Sequence, residues 1–210
     1  LEGRVAYAML GVLVAVFLAE HMVLASQGEA AFRRAFVLEA DFAEKPWTVV
    51  TSIFAHDPFN FSHILLNGLV LFFFGPLLEG RIGSRRFLLL FLVGGAIAGL
   101  AQVTLYAAFL HQESGVVGAS GALMSVMGAL TVLAPRLTVL VFFVIPAPLW
   151  ALTMVYAAID VLGLMAATGS IAHMAHLGGL AFGLAMGKRM RDQGYRFPGP
   201  AGHVTAPRSW

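Results

Sequence analysis

The chain contains no cysteine and very little charge: Asp, Glu, Lys and Arg make up only 11% of its 210 residues. Without cysteine no disulfide can hold the fold, so a disulfide-stapled scaffold is excluded. A typical soluble domain carries about 25% charged residues, and disordered chains are richer still in polar residues. Hydrophobic residues instead reach 59%. Because so little charge cannot cover a surface that faces water, the composition predicts an integral membrane protein.

Six apolar stretches are long enough to cross a bilayer core, which takes roughly 20 residues as helix. They cover about 5–25, 61–79, 86–108, 118–134, 149–167 and 172–187. The sequence therefore predicts an all-α membrane protein, a polytopic bundle of six transmembrane helices within 1–191. A further apolar run, 137–145, is too short to span and ends at two prolines, so we expect it at the interface or buried against protein.

The loops between these stretches differ in charge. The side that holds both termini carries most of the basic residues, and the other side carries only Arg33, Arg34 and Lys45. The positive-inside bias then predicts cytoplasmic termini, and six spans without a long soluble domain predict a prokaryotic cell membrane. The basic residues form no patch, which excludes nucleic acid as a partner. Residues 192–210, rich in Gly and Pro, are expected to form a disordered cytoplasmic tail, and 26–60 an ordered loop at the membrane interface.

Polar side chains inside the predicted spans mark a candidate site, because such groups are costly in a membrane. His63 and Asn67 lie one helical turn apart in the second span, Ser120 opens the fourth, and His176 opens the sixth. At 1.5 Å rise per residue, Ser120, His176 and Asn67 lie about 21, 17 and 18 Å from the inner ends of their spans. Three helices thus bring polar groups to one depth, which favours a single site.

Small residues continue along the two helices that carry Ser120 and His176. They are Gly121, Ser125 and Gly128 in the fourth span, and Gly179, Gly183 and Gly187 in the sixth. Such stripes let transmembrane backbones approach closely, and simple packing is an alternative explanation for them. With Ser120 and His176 at their heads, the stripes favour a serine and an imidazole close enough to share a proton, about 2.6–3.2 Å.

A serine activated by a histidine is a nucleophile for acyl transfer, and its tetrahedral intermediate needs hydrogen-bond donors. The backbone amides of Ala119 and Ser120 lie at a helix N-terminus, where N–H groups lack intrahelical acceptors. His63 and Asn67 can add side-chain donors. The residues therefore predict Ser120 as nucleophile, His176 as general base and an oxyanion hole built from these four groups.

Four motifs, in this order, resemble the rhomboid intramembrane serine proteases: HILLN at 63–67, FGPLLEGRIGS at 74–84, GASGA at 118–122 and AHLGGLAFG at 175–183. The resemblance covers about 45–190. It implies a helical bundle with Ser120 as nucleophile, His176 as base, and His63 and Asn67 in the oxyanion hole. It also implies cleavage in or near transmembrane helices of other membrane proteins, without metal or cofactor. Thr48 after Trp47, and Met124 where some members place Tyr, depart from the family pattern.

Several alternatives stay open. Asp160 in the fifth span could orient His176 as a third member of the site, although a structural hydrogen bond is favoured. His173 and His176 could mimic a metal pair, but no nearby carboxylate or Cys is expected to complete a tetrahedral set. A proton- or solute-coupled transporter would also use intramembrane His and Asp, yet no inverted repeat is visible. A catalytically inactive relative would lack Ser120 or His176, and both are present.

Overall fold

A computed structural model describes residues 3–110, 115–141, 144–166, 172–195 and 197. The described chain folds into helices and one short hairpin, in the order α1 (Arg4–Phe36), α2 (Thr48–Phe54), α3 (Phe61–Ile82), α4 (Ser84–Leu105), α5 (Ser120–Leu133), β1 (Thr138–Val141), β2 (Ile145–Pro148), α6 (Leu149–Met165) and α7 (His173–Asp192). A π-helical turn, Tyr106–Leu110, prolongs α4. Each of the six predicted spans contains a helix.

Length and hydropathy distinguish five of these helices from the rest. Among the described residues, three helices are long and apolar enough to cross a membrane: Arg4–Phe36, Phe61–Ile82 and Ser84–Ala108. Ser120–Leu133 and Leu149–Met165 are apolar but shorter. The chain is thus a mostly helical membrane protein, and the count of six membrane crossings stays a prediction.

The first helix is longer than the sequence predicted. We expected the span to end near residue 25, but α1 continues to Phe36. At Gly28 the backbone has φ 80°, a left-handed conformation that favours glycine, so α1 consists of two helical pieces joined by a kink. Hydropathy missed the second piece because Glu29 and Arg33 make it polar, although Ala, Glu and Arg are good helix formers.

The segment that follows α1 is held by its own polar contacts. Trp47 Nε1 donates to the carbonyl oxygen of Arg34 at 3.0 Å. Lys45 Nζ lies 2.7 Å from a carboxylate oxygen of Glu39 and 3.0 Å from one of Asp41. Burial opposes the charge on Lys45, but these two carboxylates outweigh it and raise its pKa. The loop between α1 and α2 is therefore held by ion pairs within it and by one hydrogen bond to the end of α1.

Helix α5 lies at the centre of the bundle, with α4 and α7 packed against it. Almost all of its side chains are buried. Glycines set its distance from α7: a Cβ at Gly128 would lie 2.8 Å from the carbonyl oxygen of Leu180, and Gly179 and Gly183 approach the α5 backbone still more closely. Ser125 Oγ also donates across this contact to the carbonyl of Gly179 at 2.9 Å. The predicted close approach of the two helices is confirmed.

The described residues of the apolar run 137–145 contribute to a β-hairpin, in which β1 and β2 pair antiparallel from Thr138 opposite Pro148 to Val141 opposite Ile145. This hairpin amends the all-α class expected from the sequence. The run is rich in β-branched Val, Thr and Ile, which favour strands, and its length is too short for a helix that spans. The proline at 148 then marks the start of α6.

The first residues after α7 pack on the end of the bundle. Phe197 N–H donates to the carbonyl of Leu133 at 3.3 Å. The guanidinium of Arg81 lies 5.8 Å from the Phe197 ring centroid, and that of Arg86 lies 5.2 Å from the Tyr195 ring. The predicted tail thus begins with residues held by the bundle. Residue 196 and residues 198–210 of the tail lie outside the described residues.

Candidate active site

Ser120 is the first residue of α5, and the chain before it is tied to two other segments. Val116 and Leu38 exchange backbone hydrogen bonds of 2.8 and 3.0 Å. Gly118 N–H donates to the carbonyl of Ser52 in α2 at 2.8 Å. These contacts hold the turn into α5, and therefore the position of Ser120, from the side of the first loop.

Gly118 allows this turn to lie directly against His63. Its φ is 127°, a conformation that L side chains rarely adopt, and a Cβ there would lie 2.7 Å from His63 Nε2. His63 Nδ1 accepts a long hydrogen bond of 3.4 Å from the Asp57 amide. With Nδ1 as the acceptor, the proton of a neutral ring lies on Nε2, the nitrogen that faces Gly118.

His176 lies in the first turn of α7, and a side chain from α4 caps the N-terminus of this helix. Gln102 Oε1 accepts hydrogen bonds from the amides of Met174 and Ala175 at 3.0 and 3.2 Å. These amides belong to the start of the helix, where the helix itself supplies no acceptor. His176 Nε2 lies 2.8 Å from Ser120 Oγ, a distance at which a hydroxyl and an imidazole share a proton.

Asp160, on α6, contacts the other side of the His176 ring. Its Oδ1 lies 3.0 Å from His176 Nδ1 and 2.9 Å from His173 Nδ1. Because a carboxylate only accepts, both rings donate through Nδ1–H, which leaves His176 Nε2 to accept from the hydroxyl of Ser120. The sequence favours a structural hydrogen bond for Asp160, and the structure gives it two imidazole partners. Spacing along the chain did not predict both contacts, because helical rise gives a residue's depth and not the direction in which it faces.

Asn67 is buried and is held by a histidine outside the predicted spans. Its Nδ2 lies 3.0 Å from His56 Nε2, and His56 Nδ1 lies 3.1 Å from the carbonyl of Phe54. Burial and the nearby charge of His63 lower the pKa of His56 to about 4. His56 is therefore neutral near pH 7, donating to Phe54 and accepting one N–H of Asn67. The amide of Asn67 is fixed in orientation, and one N–H is left over from this bond.

The backbone at the start of α5 completes the group of residues predicted from the sequence. Ala119 is fully buried and directly precedes the helix, where amides lack intrahelical acceptors. A cavity of about 10 Å³ borders Ser120, Ser52 and Ala172, which is about the room that one water needs. The structure thus brings Ser120, His176 and the neighbouring polar groups to one end of the bundle.

Two polar residues that support this end were missed in the sequence. Gln102 caps α7, and Glu20 Oε1 accepts the backbone N–H of His56 at 2.8 Å. Both lie in apolar stretches, so the rule that marked Asp160 as costly in a membrane would also have found them.

In the part of the chain that the structure describes, no group of three or more His, Cys, Asp or Glu has the geometry to hold a metal ion.

Several known proteins are similar to this chain. "Rhomboid protein 1, mitochondrial" of Saccharomyces cerevisiae is 31% identical over 184 residues, which cover 86% of this chain and 51% of the yeast protein. "RHOMBOID-like protein 12, mitochondrial" of Arabidopsis thaliana is 31% identical over 163 residues, 71% of this chain and 48% of the plant protein. A Bacillus subtilis protein named provisionally as the rhomboid protease YdcA is 36% identical over 83 residues, 39% of this chain and 38% of that protein. The chain spans about half the length of the yeast and plant relatives.

The location predicted from the sequence is contradicted by two of these relatives. The yeast and Arabidopsis proteins are both named as mitochondrial, so the prediction of a prokaryotic cell membrane with cytoplasmic termini is wrong. The physical reason is that loop charge reports the side of a bilayer that a loop faces and not the organelle to which the bilayer belongs. The number of helices does not identify the organelle either.

One family model covers most of the chain and all the residues of the site. The model described as the Rhomboid domain matches residues 43–193, a range that includes the helices carrying His63, Ser120 and His176. The four sequence motifs lie in the same range: the first two are on α3, the second ending at the first residue of α4, and the others are at the start of α5 and on α7. Together with the relatives, this match shows that the chain belongs to the rhomboid family.

Proposed function

We propose that the protein is an intramembrane serine endopeptidase that hydrolyses peptide bonds in or near the transmembrane helices of other membrane proteins. The observation that carries the proposal is the 2.8 Å approach of Ser120 Oγ to His176 Nε2. Membership of the rhomboid family supports the same activity. The proposal includes six transmembrane helices. The names of the yeast and plant relatives support a mitochondrial membrane as the location of the protein.

The reaction begins with attack of Ser120 Oγ on the scissile carbonyl carbon while its proton passes to His176 Nε2. The carbon–nitrogen bond then breaks, and the same proton goes to the departing amine, which leaves an acyl group on Ser120. A water molecule attacks this ester, gives one proton to His176, and the acyl–oxygen bond breaks as that proton returns to Ser120. No metal or cofactor is needed for these steps.

The negative charge that develops on the carbonyl oxygen needs donors arranged in advance. We assign this role to the amides of Ala119 and Ser120 and to the side chains of His63 and Asn67. Support comes from the position of His63 Nε2 against Gly118, next to the start of α5. The hydrogen bond from Asn67 to His56 supports it as well, because an amide held by one N–H presents the other in a fixed direction.

A transmembrane substrate needs a path from the lipid to Ser120. Helix α6 packs on α5 and α7, and the described part of the chain shows no extensive packing between α6 and α3. Trp150 and Met154 on α6 and Phe72 on α3 are exposed apolar side chains. We therefore assign substrate entry to the space between α3 and α6, since a sideways route spares an apolar helix from crossing water.

Labelling with a fluorophosphonate and cleavage of a transmembrane substrate in liposomes test the proposal together. Wild-type protein is expected to label and to cleave, whereas Ser120→Ala does neither. Ser125→Ala is the matched control, because Ser125 lies on the same helix but donates to the carbonyl of Gly179, and it should label and cleave. Cleavage by Ser120→Ala, or a wild-type protein that neither labels nor cleaves, would refute the proposed function.

A further inference from the structure

The carboxylate of Asp160 joins two imidazoles at one oxygen atom. Its Oδ1 accepts from His176 Nδ1 at 3.0 Å and from His173 Nδ1 at 2.9 Å. The side chains of Asp160 and His173 are only 4% and 2% exposed. A buried carboxylate with two hydrogen-bond donors is stable in such surroundings, whereas an isolated one would be very costly.

We propose that Asp160 is a positioning residue that, held in place by His173, keeps His176 protonated on Nδ1 with Nε2 turned to Ser120. Three side chains in series, rather than two, would then serve the reaction. This inference rests on the proposed chemistry of Ser120 and His176 and adds the group that prepares the base.

The tautomer of His176 decides whether it can act as a base. A neutral imidazole carries one proton, on Nδ1 or on Nε2, and only the Nδ1–H form can accept from a serine hydroxyl through Nε2. A carboxylate next to Nδ1 selects that form and stabilises the positive ring that appears once the serine proton arrives. Asp160 is the group next to Nδ1, so it favours both the starting form and the charged intermediate.

His173 has the complementary task of holding Asp160. It lies three residues before His176 on the first turn of α7, so the two rings share one side of the helix. A Cβ at position 163 would overlap the His173 ring, and glycine leaves room there for the imidazole against α6. His173 thus faces α6 and Asp160, whereas His176 bridges Asp160 and Ser120.

The decisive variant is Asp160→Asn, assayed on a transmembrane substrate in liposomes. The carboxamide has nearly the same shape but can donate to Nδ1, which favours the tautomer with the proton on Nε2. We expect kcat per folded molecule to fall about 10²–10⁴-fold with KM nearly unchanged, since only the chemical step needs the tautomer. The rate of fluorophosphonate labelling at Ser120 should fall in parallel. His173→Gln should lower kcat less, by about tenfold, because Asp160 itself remains.

Glu79→Gln is the matched control, because it also replaces a buried carboxylate by a carboxamide. Glu79 lies near the C-terminal end of α3, whereas His63 and Asn67 lie near its N-terminal end. Its kcat per folded molecule should remain that of the wild type even where its thermal unfolding temperature falls. If Asp160→Asn does not fold, Asp160→Ser replaces it in the same assay with the same expectation. A purely structural role for Asp160 predicts the behaviour of the control, with loss of stability and unchanged kcat.

The outcomes separate this inference from the proposed function. If wild-type protein cleaves, Ser120→Ala does not, and Asp160→Asn keeps kcat within tenfold of wild type, the role of Asp160 is refuted while the serine peptidase stands. If Ser120→Ala still cleaves, the proposed function itself fails. A large fall in kcat for Asp160→Asn, with KM and folding retained, supports the positioning role.

Discussion

Two carboxylates, Glu79 and Asp160, lie near opposite ends of the helical bundle, and both residues are buried. Glu79 accepts the amides of Val5 and Ala6 at 3.1 and 2.8 Å and the hydroxyl of Ser84 at 2.6 Å. Asp160 accepts from two imidazoles instead. The same chemical group, equally buried, therefore meets donors of different kinds at the two ends.

The donors decide what each carboxylate does. Backbone amides at the start of α1 have no intrahelical acceptor, so Glu79 caps that helix and ties it to the turn between α3 and α4. None of its partners exchanges a proton near neutral pH. An imidazole does, so a carboxylate next to one influences a proton transfer as well as the fold. We expect changes at the Glu79 end to affect stability and changes at the Ser120 end to affect rate.

Gly183→Leu should produce the largest effect, because it separates α5 from α7 and disturbs both ends together. The glycine lies against the α5 backbone, which cannot move as a side chain can. We expect a loss of at least about 3 kcal/mol in unfolding free energy and loss of cleavage. Thermal unfolding in detergent and the liposome assay measure the two effects. Gly11→Leu is the control, since a Cβ at Gly11 meets nothing within 4 Å. Wild-type values for Gly183→Leu would mean that the helices can move apart freely.

Asn67→Ala tests the Ser120 end alone. Loss of one oxyanion donor typically lowers kcat about 10²–10³-fold, and the remaining donors keep some activity. Because the change also leaves His56 Nε2 without its partner, we expect a loss of about 1–3 kcal/mol in unfolding free energy, so kcat is compared per folded molecule. Asn60→Ala provides the comparison, because Asn60 precedes the same helix and is exposed. An unchanged kcat for Asn67→Ala would remove this side chain from the oxyanion hole and leave the role to His63 and the backbone.

Glu79→Gln tests the opposite end. The amides of Val5 and Ala6 need acceptors, and a carboxamide offers one oxygen in place of two, so we expect a loss of about 1–3 kcal/mol in unfolding free energy. The kcat of the folded protein should not change. Glu44→Gln, an exposed carboxylate in the first loop, should alter neither quantity. A fall in kcat without a fall in stability would contradict the division between the two ends.

The smallest expected effect is a dependence of stability on pH that His56 causes. Its pKa is about 4 in the folded protein against an ordinary 6.5, so the unfolded chain takes up the proton first. Its contribution to stability is complete above pH 6.5 and declines as the pH falls towards 4. Between pH 7 and 5.5 it amounts to about 1 kcal/mol. His56→Gln retains an acceptor for Asn67 and should unfold with a flatter pH dependence. Equal pH dependence in both proteins would count against a depressed pKa at His56.

Much of the fold was predictable because hydropathy and helical rise are local properties. The six apolar stretches all became helices, and the depths computed for Ser120 and His176 anticipated their contact. The predicted helix boundaries were wrong where charge and helix propensity disagree, as at 26–36. The hairpin at β1 and β2 was missed because an apolar run of that length reads equally well as strand or as buried helix.

The sequence by itself determined that the chain enters a membrane, which stretches become helices, and that Ser120, His176, His63 and Asn67 lie at similar depths. These features follow from composition and spacing along one helix. Only the tertiary structure decided which sides of the helices face one another. Asp160 meets His173 and His176 because the packing of α6 against α7 sets its direction, and that packing depends on contacts from several helices at once. The contact of Asp160 with the two histidines therefore could not be predicted from spacing, although the position of Asp160 along the chain could.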